Sequence, residues 1–158
     1  MPPPLLFSLE GIDLDTVIVP IEEVRKVNPQ RYEMEQLTGV IYVDTAARHL
    51  VAERRIGPDE WWAKGHIPGR PLMPGVLMIE ACAQASAYLC KVLTPSQERF
   101  IGFGGLEAVK FRGEVLPGDR LIILVQVLDL RARRAIFAAQ GLVGDRMVLH
   151  GHIVGVPM

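Results

Sequence analysis

A histidine on a proline-stiffened loop, followed shortly by a carboxylate inside an otherwise apolar helix, is how an acid/base site is assembled. Residues 65–84 read Gly-His-Ile-Pro-Gly-Arg-Pro-Leu-Met-Pro-Gly-Val-Leu-Met-Ile-Glu-Ala-Cys-Ala-Gln, which puts His66 on the loop and Glu80 on the helix. Neutral imidazole is available as a base near pH 7, because one ring nitrogen can be fixed while the other reacts. A carboxylate that must enter apolar surroundings has its charged form disfavoured, so its proton affinity moves toward the range useful to an acid. Gln84 lies four residues after Glu80 and shares its face. Gly75 falls in the first helical turn, where unpaired backbone N–H groups and the positive end of the dipole can hold an oxyanion. A glycine there lets a ligand approach closely, and it equally permits a tight junction of loop and helix. Taken singly, His66 also reads as a solvated loop residue, and Glu80 as half of a buried ion pair with an arginine.

The elements that must position these groups follow from pattern. Pro74 is tolerated at a helix start, and from Val76 to Cys90 only Glu80, Gln84, Ser86 and the Tyr88 hydroxyl are polar, so a core helix of roughly 24 Å is predicted. It is read as too short and too interrupted to cross a membrane. Asn28-Pro29 gives a helix-start signal, so a short helix is predicted over residues 28–37. Strands are predicted at 40–44, 50–56, 99–115, 120–130, 134–143 and 147–156, with Gly144-Asp145 as a type II′ hairpin turn. Helices do not alternate with these strands, so the sheet is expected to be antiparallel and the class α+β.

Composition sets the frame. A chain of 158 residues with 49% hydrophobic residues can bury a sizeable core as a single domain over residues 1–158. The formal charge of −1 gives no general case for nucleic acid. Cys82 and Cys90 sit eight apart on one helix, about 12 Å between Cα atoms, too far to bridge. Reduced thiols, and a start with no basic region or long apolar stretch, point to a cytoplasmic protein. His150 and His152 share one strand face, and solvent-facing positions are favoured over a metal site, which needs more ligands. His49 reads as an ordinary strand or turn residue. Trp61 and Trp62 read either as core anchors or as pocket wall. Arg131, Arg133 and Arg134 crowd one connection, and Lys110 and Arg112 alternate on another strand, with no binding role assigned to any of them.

The run from His66 to Gln84 resembles the active-site signature of the β-hydroxyacyl-acyl carrier protein dehydratases of fatty-acid synthesis. The match lies in His66, Pro68-Gly69, Pro71, Met73-Pro74-Gly75-Val76-Leu77, Glu80-Ala81 and Ala83-Gln84. Val109-Lys110-Phe111-Arg112 and Val115-Leu116-Pro117-Gly118-Asp119 are similar to the family's later strand and turn, so the resemblance covers about residues 21–156. Departures are Ile67 for a phenylalanine, Trp61-Trp62 for a phenylalanine pair, and Gln30 for a histidine. The resemblance implies a hot-dog fold, an antiparallel sheet wrapped around one long buried helix. It implies conversion of (3R)-3-hydroxyacyl thioesters on acyl carrier protein to trans-2-enoyl thioesters, with no metal or organic cofactor. It also implies catalytic roles for His66, Glu80 and Gly75, with the Leu72 carbonyl fixing His66, Gln84 orienting Glu80, and Ile67 bordering the substrate. A homodimer with sites shared between chains is implied, which a trimer of dimers would extend, with neither nucleic acid nor membrane as partner. The family members that also isomerise the double bond usually carry aspartate at the helix position, so Glu80 points to dehydration alone. The alternatives are a hot-dog thioesterase and a non-catalytic acyl-binding homologue.

Overall fold

A computed structural model describes residues 1–158. Seven strands form one sheet: β1 (Val19–Pro20), β2 (Gly39–Asp44), β3 (His49–Arg55), β4 (Ile101–Phe111), β5 (Arg120–Arg131), β6 (Arg134–Val143) and β7 (Arg146–Pro157). Their order is β1-β2-β3-β5-β6-β7-β4, and every neighbouring pair is antiparallel. A short helix α1 (Ile21–Val24) follows β1, and the long helix α2 (Gly75–Leu93) lies between β3 and β4 in sequence. This is the α+β, hot-dog arrangement expected, with the sheet curled over α2.

Alternation along the strands sorts side chains between two layers. Leu121, Ile123 and Val125 on β5 and Ala135, Phe137 and Ala139 on β6 face inward onto Leu77, Ala81, Cys82, Ala85 and Leu89 of α2. Ile122 and Leu124 face outward with Ile41, Val51, Leu142 and Met147. The run from Leu121 to Val125 is therefore apolar at every position, because both of its faces are covered. What covers the outer face is the N-terminal segment, through Leu6, Phe7, Leu9, Ile12 and Leu14.

Three expectations need correction. The helix predicted over residues 28–37 is only a 3-10 turn at Tyr32–Met34, preceded by the four-residue α1. The Asn28 side chain does not cap a helix; its amide donates to the Gln84 carbonyl at 2.9 Å, so a tertiary bond overrides the local signal. The strand predicted to reach residue 115 stops at Phe111. Finally, α2 spans 19 residues and is long and apolar enough, by length and composition, to cross a membrane. Packing rather than length makes it a core helix, since ten of its residues are buried, mostly against the sheet. The Gly144 turn is as expected, with positive φ at its first central position alone.

Candidate active site

The loop carrying His66 is held at several points along its length. At its start, Glu60 takes both a hydrogen bond from the Gly57 N–H at 2.8 Å and a half-buried ion pair from Arg54 at 2.9 Å. Trp62, 2% exposed, anchors the turn, and its carbonyl accepts from the His66 N–H at 2.8 Å. At its end the Met73 N–H donates to the Val115 carbonyl at 2.8 Å, fixing where α2 begins. Trp61 is 56% exposed, so the two neighbouring tryptophans divide between core and surface.

His66 is exposed, and its Nδ1 lies 2.9 Å from the Leu72 carbonyl oxygen. A carbonyl can only accept, so Nδ1 carries the hydrogen in that contact and Nε2 of the neutral ring keeps its lone pair. The bond places a base nitrogen away from the loop with its tautomer determined.

Glu80 stands in the second turn of α2, half-buried, with its Oε1 accepting from Gln84 Nε2 at 2.8 Å. Gln84 is 2% exposed and fully engaged: it donates also to the Met34 carbonyl at 2.6 Å and accepts from the Gln36 N–H at 2.9 Å. Because Gln84 Oε1 faces a donor, its amide cannot turn over, so Glu80 is presented with Oε1 held and Oε2 unpaired within the chain. Removing the web is predicted to be costly. Gln84→Leu leaves a buried N–H and a carbonyl unpartnered, and urea unfolding is expected to show a loss of roughly 2 to 4 kcal/mol; a loss under about 0.5 kcal/mol, the size usual for surface changes, would show that the web does not bear on stability.

Gly75 opens α2 after Pro74. The Pro74 carbonyl accepts from Leu77 and Met78, while the N–H groups of Gly75 and Val76 donate to nothing in the chain. Two donors at the positive end of a helix are therefore free for an anion. A Cβ at Gly75 would come within 2.7 Å of the ring of Phe111, itself 50% exposed, so any larger residue here would push that β4 side chain aside.

Beside Glu80 lies a cavity of about 160 Å³, walled by Gln30, Ala83, Gln84, Ala87, Phe100 and Phe103 among others. Ala83 and Ala87 follow Glu80 by three and seven positions, so small residues on its own helix face leave the space open. That spacing was visible in the sequence; Phe100 and Gln30 come from elements that only the fold brings there. Neither His66 nor Ile67, itself 42% exposed, lines this cavity. The chain thus joins Glu80 to Gln84 and His66 to Leu72, but does not enclose His66 and Glu80 together.

Other sequence candidates resolve plainly. Cys82 and Cys90 are free and buried, and burial pushes the Cys82 thiol up to about 12, so it is inert as a nucleophile. His49 stacks on Phe7 with centroids 4.0 Å apart. His152 keeps a side chain 40% exposed, as expected, whereas His150 departs from the solvent-facing expectation, its Nε2 being shielded.

The arrangement is matched among known proteins. The family model described as FabA-like domain matches residues 28–152. The chain is 34% identical over 131 residues to the 3-hydroxyacyl-acyl-carrier-protein dehydratase FabZ of Moorella thermoacetica, covering 83% of this chain and 91% of that protein. It is 39% identical over 112 residues to the protein of the same name from Enterococcus faecalis, covering 71% and 79%. Among solved structures, the dehydratase heterocomplex ApeI:P of Xenorhabdus doucetiae is similar with a TM-score of 0.71 at 18% identity, over 85% of this chain and 90% of that one. The E. coli PaaI protein of the phenylacetic acid degradation operon superposes with a TM-score of 0.58 at 16% identity, over 75% and 78%, a likeness of fold alone. A match running from the Asn28 region through the His66 loop and α2 to β7, at these identities, means that the chain belongs to the FabA-like family of hot-dog dehydratases.

Proposed function

We propose that the protein dehydrates (3R)-3-hydroxyacyl thioesters on acyl carrier protein to trans-2-enoyl thioesters, in fatty-acid biosynthesis. The observation that carries the reading is the pairing of a tautomer-fixed His66 with a carboxylate whose second oxygen is unpaired beside a cavity. In this mechanism His66 Nε2 takes the proton from C2 of the substrate. The charge that develops on the thioester oxygen is met by the free N–H of Gly75 at the positive end of α2. Glu80, held by Gln84, hands a proton to the departing C3 hydroxyl, directly or through a water, and water leaves. Return of the proton from His66 to Glu80 through solvent resets the site. The acyl tail runs into the cavity along Ala83 and Ala87.

This site needs a second copy of the chain. β4 is an edge strand with Phe103, Leu106 and Phe111 all close to half exposed, and Val76 at the start of α2 is 70% exposed beside it. An unpaired apolar edge is a surface that calls for a partner. Pairing two chains here supports an isologous homodimer in which His66 of one protomer faces Glu80 of the other.

The test follows 3-hydroxyacyl thioester with the purified protein, measuring enoyl product and free thiol together. Enoyl formation without thiol release is expected. Thiol appearing at the rate of substrate loss would make the protein a thioesterase, and neither product would leave an acyl-binding homologue.

A further inference from the structure

The cavity beside Glu80 has a rim and a floor. Pro29, Phe100 and Phe103 are exposed and stand where it opens, whereas Phe137 on β6 and Ile153 on β7 belong to the buried core and close its far end. Glu80 is part of its wall, so a substrate whose C3 hydroxyl meets that carboxylate has its next carbons at the cavity. A second copy paired along β4, the edge strand, would close over Phe103 at the rim and leave this floor in place.

The lining past Glu80 suits hydrocarbon. Ala83 and Ala87 form its α2 side, and the two polar residues between them are already engaged. Gln84 donates both amide hydrogens, to Glu80 at 2.8 Å and to the Met34 carbonyl at 2.6 Å, and the Ser86 hydroxyl donates to the Cys82 carbonyl at 2.8 Å. Neither has a hydrogen left for a polar group on an acyl tail. The space itself is about 160 Å³. A dry cavity of about 150 Å³ takes up benzene, so the room here is for about six carbon atoms. With the first three carbons of the acyl group outside, that sets a chain of about nine.

We propose that the site selects medium-chain acyl groups, of about eight to ten carbons with an unsubstituted hydrocarbon tail, and that Phe137 and Ile153 set the limit by closing the cavity. The proposal rests on the dehydratase reading, which puts C3 of the substrate at Glu80. Each methylene that enters the cavity leaves water, which favours binding by about fourfold. A methylene that reaches the floor gains nothing in that way. It must stay in water or push aside close-packed core side chains, and either response works against the longer chain. Affinity therefore climbs with length and then breaks, instead of climbing without limit.

Two series of pantetheine thioesters, from butanoyl to tetradecanoyl, test this on the purified full-length protein. The 3-hydroxyacyl series is followed by enoyl formation, and the saturated series, which has no hydroxyl to lose, by calorimetric affinity. Both kcat/KM and affinity are expected to rise by up to about fourfold per methylene as far as octanoyl or decanoyl. Tetradecanoyl is expected to fall at least about tenfold below the best chain. Ala87→Leu adds an isopropyl group to the cavity wall and is expected to lower the ratio of decanoyl to butanoyl, in both series, by about tenfold or more. Values that keep rising through tetradecanoyl, or that stay level across the series, overturn the proposal. So does an unchanged ratio in Ala87→Leu that its melting curve shows to be folded. With no enoyl product at any length the dehydratase reading fails on its own, and the presence or absence of a break in the affinity series still decides the chain-length limit.

Discussion

Protein carrying His66→Ala or Glu80→Gln is expected to form enoyl thioester at a rate lower by about 10² to 10⁴, the usual contribution of a positioned acid or base. Both changes are also expected to leave the fold in place, for reasons visible in the site. His66 is exposed, and its loss frees only the Leu72 carbonyl, which water can reach. A glutamine at position 80 still offers a carbonyl oxygen to Gln84 Nε2, so the web that ties α2 to Met34 and Gln36 persists. Thermal melts should therefore move little while turnover collapses, with the loss falling on kcat more than on KM if the groups act in the transition state. Near-normal turnover in both variants would show that the chemistry is done elsewhere. A fall in activity that tracks a fall in stability would instead make the residues structural.

How much of this was legible before folding depends on the range of the interactions involved. The long helix, the last three strands and the Gly144 turn are set by local pattern, and β6 falls on the residues expected, 134–143. The spacing of Glu80 and Gln84 told which face they share, because helical geometry is fixed over one turn. Residues 28–37 failed for the opposite reason. Asn28 looks like a local helix-capping group, but its side-chain amide donates to the Gln84 carbonyl 56 residues away, and the backbone N–H of Gln36 is taken by the Gln84 side chain rather than by a helical carbonyl. The N-terminal segment gave no signal either. Its role as cover for the outer face exists only because β5 is apolar at every position, which a strand reading registers as burial without saying what does the burying. The resemblance implies that Ile67 borders the substrate, since it stands where the family has a phenylalanine beside the histidine; it is exposed in the single chain and outside the cavity. A place in the acyl pocket for Ile67 now rests on the second protomer.

The proposed sharing of the site between two chains yields the other large effect. His66→Ala and Glu80→Gln, each almost inactive alone, are expected to regain about a quarter of wild-type activity when mixed in equal amounts and allowed to exchange subunits. Random reassortment makes about half of the dimers mixed. In each mixed dimer, one site combines both lesions and the other combines the intact Glu80 of the first variant with the intact His66 of the second. Half of the sites in half of the dimers is a quarter. The physical ground is that the free chain leaves His66 exposed and outside the Glu80 cavity, while the apolar edge of β4 and Val76 stand open to a second copy. If one protomer instead held a complete site, every site in the mixture would carry one lesion and mixing would restore nothing. Exchange must be shown independently, by differently tagged subunits recovered together. With exchange demonstrated and no activity regained, the shared site is refuted, and the closure of His66 onto Glu80 would have to come from movement of the 56–74 loop within one chain.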